Sequence, residues 1–134
     1  MLTGLLQAHS ALRYLVLLAG VIALGYAAFA VVSRRPYDRG IRITAASFAG
    51  LLHLQVLLGF VLIVSGRFYP QLIGHLFMML AAAVVVQIPV SVMRRRAPED
   101  RRPVPHLVGA VVGLFLIWAG VAAIGRGILD HTVF

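Results

Sequence analysis

The chain has 134 residues, 61% of them hydrophobic and only 12% charged, against about 25% charged in soluble domains. Its mean hydropathy is +0.97, more apolar surface than a water-solvated core can use, so lipid must solvate much of it. The formal charge of +8 comes from twelve arginines without a single lysine, and the absence of cysteine excludes thiolate metal sites, iron–sulfur clusters, covalent c-type haem and disulfides.

About 20 apolar residues cross a bilayer core as a helix, and four runs reach that length, at about 5–32, 43–64, 72–93 and 106–124. The first carries Gln7, His9, Ser10 and Arg13 near its start. It has no basic segment before its apolar stretch and is too long for a signal peptide, so it is expected to stay as a span. A short connection, Ser33 to Arg42, with Pro36 and Gly40 as breakers, leads to the second span, which contains His53 and Gln55. The Ser65 to Gln71 connection follows, and the third span carries His75, Met78, Met79, Gln87 and Pro89. Arg94 to Pro105 then precedes the fourth span, which begins at His106 and contains Gly109, Gly113 and Gly120. No span contains Asp, Glu or Lys. Short loops make neighbours antiparallel, so the expected fold is all-α: one transmembrane four-helix domain, up-down-up-down, over residues 1–134.

The arginines give the orientation. Arg34, Arg35, Arg39 and Arg42 lie in the first connection, and Arg94, Arg95, Arg96, Arg101 and Arg102 in the third. Both belong to the same side, which the positive-inside rule makes cytoplasmic. The chain is then expected in a bacterial inner membrane with both termini periplasmic, its partners being the bilayer and a larger membrane complex or a second copy. Charge confined to these loops argues against nucleic-acid binding. The Gly109–Gly113 spacing permits close helix contact, within the bundle or between copies.

Histidine in a span is costly and usually faces the bundle interior with a partner. Folding the chain at its loops puts His9 and His75 near the outer face, roughly 7 Å apart in height, and His53 roughly 10–12 Å deeper than His75. Spans one and three run parallel and diagonal, and side chains lean toward a helix N-terminus, so His9 and His75 stay level. A haem iron needs two imidazoles at nearly equal height, which favours His9 with His75; His53 with His75 is second choice. Arg13 follows His9 by one turn on the same face, and Arg67 lies in the adjacent loop. Both suit haem propionates, a quinone headgroup or a lipid phosphate. The plainer reading of His53 is an interhelical hydrogen bond, for example to Gln87. Gln55 reads as packing glue, Met78 and Met79 as filler, His106 as an interfacial helix start, and His131 beside Asp130 as a solvated tail residue. No carboxylate pair, Ser/His/Asp set, glycine-rich phosphate loop or HExxH motif is present, so hydrolytic chemistry has no support.

The stretch His9-Ser10-Ala11-Leu12-Arg13-Tyr14, the run Leu52-His53-Leu54-Gln55 with Leu57-Leu58-Gly59, and Arg67-Phe68 followed by His75 and Met78-Met79 resemble small bacterial four-span proteins of the cytochrome b-like type. The resemblance covers roughly residues 9 to 80. It implies a bis-His haem b and electron transfer with a membrane quinone pool, and marks His9, His53, His75, Arg13 and Arg67 as site residues. Unlike diheme b cytochromes, the histidines here are staggered in depth, which leaves room for one haem at most. The leading expectation is therefore a single-haem electron-transfer protein or subunit. An accessory or assembly subunit of a respiratory or photosynthetic complex is the alternative. A proton- or ion-conducting bundle gated by His53 ranks third, because no intramembrane carboxylate accompanies it.

Overall fold

A computed structural model describes residues 2–66 and 70–123. Those residues form four long helices, α1 (Leu2–Val32), α2 (Arg39–Val64), α3 (Gln71–Arg95) and α4 (Val104–Ala122), with a short 3-10 turn at Pro98–Asp100. All four are long and apolar enough to cross a membrane. Large apolar side chains cover the outside of the bundle, including Phe29, Leu57, Phe77, Phe115 and Trp118, each more than half exposed. That exterior is stable only where lipid replaces water.

The helices extend past the apolar runs because polar residues at their ends serve the backbone. Asp38 caps α2, its carboxylate accepting the Ile41 N–H at 2.9 Å, so the helix starts at Arg39 and not at the first apolar residue. α1 closes with Arg34 in the left-handed region (φ 55°) and the Arg35 N–H returning to the Ala30 carbonyl at 2.8 Å, the six-to-one bond of a Schellman-type end. α3 runs on through Arg94 and Arg95, whose cations oppose the negative end of the helix dipole.

Small residues govern packing. An ideal Cβ on Gly109 would lie 3.0 Å from the Pro89 ring and 3.2 Å from the Val85 carbonyl oxygen. Val85 is the residue whose carbonyl loses its helical partner to Pro89. The glycine therefore lets α4 close over the one point where α3 has a freed carbonyl. Gly113 sits likewise against Val86 and Phe48. Both glycines are buried, so this spacing serves packing inside the bundle. Phe48, 1% exposed, fills the centre, and an added Cβ on Gly20 would come within 2.9 Å of its ring. α2 and α4 touch across one diagonal, whereas no Cα of α1 lies within 8 Å of a Cα of α3 among the described residues. The bundle is thus pinched along one diagonal and open along the other.

Candidate functional site

The open diagonal holds a cavity of about 50 Å³ to which all four helices contribute. It lies in the half of the bundle away from the arginine loops. α1 supplies His9, Ser10 and Arg13 and α2 supplies Gln55 and Gly59, while α3 supplies His75 and Met79; the rest is aliphatic, including Leu52, Leu72 and Ile117. The antiparallel fold brings the start of α1 level with the start of α3, which is how residues 66 positions apart reach one cavity.

The two histidines are anchored differently, His75 through its ring and His9 through its main chain. The His75 Nδ1 lies 2.9 Å from the Gly120 carbonyl oxygen in the last turn of α4. A carbonyl only accepts, so Nδ1 carries the proton and Nε2 carries the lone pair. That is the tautomer a metal-ligating histidine takes when its other nitrogen donates to a carbonyl. His9, 6% exposed, is fixed from below: Gln55 donates its Nε2 to the His9 backbone carbonyl at 2.8 Å. Gly59 makes room for the ring, since an ideal Cβ there would stand 3.4 Å from His9 Nε2. The Gln55 Oε1 is buried without a hydrogen-bond partner in this structure, which leaves an acceptor at the cavity wall.

Arg13 is only 8% exposed although it is charged. Its Nη2 donates to the Tyr14 hydroxyl at 3.0 Å, and its guanidinium carbon lies 4.9 Å from the centre of the Tyr14 ring. A buried guanidinium beside two imidazoles gives this cavity a positive character.

His53 is not part of this cavity. It lies exposed on the outside of the bundle, where Nε2 sits 2.9 Å from Gln87 Oε1, and Gln87 in turn donates to Ser91 Oγ at 2.9 Å. The expectation that a mid-span histidine faces inward fails here, while the interhelical bond to Gln87 is present. A helix that is apolar all round offers no stripe to tell inside from outside, and a histidine with a polar partner on the next helix is tolerated at the lipid face. Met79 lines the cavity while Met78 is 36% exposed. Arg67, Asp130 and His131 lie outside the described residues.

Two polar contacts escape a reading by span. His106 does lie in the first turn of α4, and it is buried there: it is 5% exposed, with Nε2 2.8 Å from the Tyr37 hydroxyl and the two rings stacked 5.5 Å apart. Burial pushes the Tyr37 phenol above its ordinary value against the opposing pull of Arg101 and Arg42, so the hydroxyl keeps its proton at neutral pH. The contact joins the α1–α2 connection to the first turn of α4, which puts both arginine-rich segments at one end of the bundle. The second is Gln55, whose role as a clamp on the His9 backbone is visible only once α1 and α2 are packed. Comparison with protein-family models, curated proteins and solved structures finds no match.

Proposed function

We propose that this chain is a b-type cytochrome-like membrane protein or subunit that holds one haem between His9 and His75. The observation that carries the reading is the convergence of these two histidines, from diagonal helices, on one cavity, with the His75 tautomer fixed by the Gly120 carbonyl. The donor set fits: two neutral imidazoles are the axial ligands of many low-spin haems, and Arg13 supplies a cation for a propionate. A cavity of about 50 Å³ admits a few waters and is smaller than a haem, so binding requires α1 and α3 to part. These are the helices that keep no close backbone approach to each other among the described residues.

A bound haem supplies one-electron chemistry. The chain's own part is to orient the His75 imidazole through the Gly120 carbonyl, to anchor the His9 main chain through Gln55, to keep water out with an aliphatic wall, and to balance charge with Arg13. The same guanidinium suits a quinone carbonyl, which makes a membrane quinone the natural electron partner. By the positive-inside rule the arginine-rich end faces the cytoplasm of a bacterial inner membrane, and the haem lies toward the periplasmic face.

Haem content of purified variants tests this. His9→Ala and His75→Ala each lose most of the haem retained by the parent chain, with helix content unchanged by circular dichroism. Equal haem in the parent and both variants contradicts the assignment, as does loss confined to His53→Ala.

A further inference from the structure

At the arginine-rich end a second cavity, of about 170 Å³, opens between the two connections, lined by Tyr37, Asp38, Arg39, Arg42, Pro98 and Arg101. Three guanidiniums face one carboxylate there, and that carboxylate is engaged: Asp38 accepts the Ile41 N–H at 2.9 Å and the Tyr26 hydroxyl at 3.3 Å. The α2 N-terminus is thus already capped, so the groups seeking an acceptor are the arginines. Glu99 and Asp100, the other acids of these connections, are exposed and lie outside the lining. The pocket is built from both connections and held by the Tyr37–His106 contact at 2.8 Å. Arg101 is braced by donating to the carbonyls of Arg96 at 3.1 Å and Arg94 at 3.4 Å, which occupies two of its five N–H groups and leaves three.

We infer that this pocket binds a phosphate group, and that an anionic lipid headgroup is its source. Guanidinium forks match phosphate oxygens in geometry and charge. The pocket sits where α2 and α4 begin and α3 ends, which is headgroup depth for helices that start and stop at the edge of the hydrocarbon. Basic pockets between helices at a cytoplasmic face are recurrent headgroup sites. This site is independent of the haem cavity, which lies in the other half of the bundle.

The test is thermal unfolding of the full chain in an uncharged detergent micelle, where no charged bilayer surface contributes. The micelles are titrated with phosphatidylglycerol, phosphatidylcholine or inorganic phosphate. Two double variants are compared with the parent: Arg39→Gln with Arg42→Gln, which removes two of the three pocket cations, and Arg94→Gln with Arg95→Gln, which removes equal charge outside the pocket. Phosphatidylglycerol is expected to raise the midpoint of the parent and of the second variant, and phosphatidylcholine to leave both unchanged. In the first variant the apparent affinity falls about fivefold for each arginine removed. A response to inorganic phosphate that the first variant loses, with none to phosphatidylglycerol, keeps the phosphate site and assigns it to a soluble anion. Equal responses in all three proteins, or no response to either anion, overturn the site.

Discussion

The residues at the imidazole cavity divide into those that would touch a haem and those that hold them. Gly59 belongs to the second group. An added Cβ there already touches the His9 ring, 3.4 Å from Nε2, so a side chain reaching further presses on it. Gly59→Leu is expected to displace the imidazole and lower haem retention without removing a ligand, whereas Gly50→Leu, at a glycine with open space around it, is expected to leave haem unchanged. Equal haem in the two variants contradicts the role given to Gly59. His53 provides the opposite case. Replacing it with Ala removes one interhelical hydrogen bond at the lipid face, a loss of about 0.6 kcal/mol in thermal or denaturant unfolding, and leaves the haem spectrum as it was. A changed spectrum returns His53 to the site. Residue type alone singled out His9, His75 and Arg13, because charge and imidazole are conspicuous in an apolar span. The same signal placed His53 among them, because depth can be read from sequence position and facing direction cannot. In a soluble helix the polar stripe shows which side faces out; in lipid both sides are apolar.

Among the elements, α4 depends most on what it lacks. Gly109 brings it against Pro89 and the Val85 carbonyl, and Gly113 against Val86. Gly109→Leu forces the α3–α4 pair apart and is expected to destabilise the fold by about 1–3 kcal/mol, the usual cost of overpacking, seen as a lower unfolding midpoint. Gly25→Leu, at a position with nothing within 4 Å of an added Cβ, serves as its control; equal midpoints contradict the packing role. The four spans were legible because each exceeds the bilayer's length requirement, and their order and antiparallel sense followed from short loops. Their ends were not, because Asp38 and the α1 closing turn act through backbone hydrogen bonds that hydropathy does not register. Gln55 does bond two helices and His106 does stand at a helix start, but sequence does not show what each one bonds. Their partners, the His9 carbonyl and the Tyr37 hydroxyl, lie 46 and 69 residues away, and no local pattern brings them together.

For the whole molecule, the bundle separates two chemistries. One half carries the imidazole cavity and the other carries both arginine-rich connections, the first of them tied to the start of α4 by Tyr37 and His106. The absence of native cysteine makes sidedness directly measurable. A cysteine in place of Glu99, exposed in the α3–α4 connection, is expected to react with an impermeant maleimide in inside-out vesicles and not in intact spheroplasts. Labelling from the outside would invert the orientation and put the imidazole cavity on the cytoplasmic side.

A haem held between His9 and His75 is tested most directly by a reduced-minus-oxidised visible spectrum of the purified chain with haemochrome quantitation. The expected result is the sharp α-band of a low-spin b-type haem at about one haem per chain. A flat spectrum from folded protein, produced and purified with haem in excess, would contradict it.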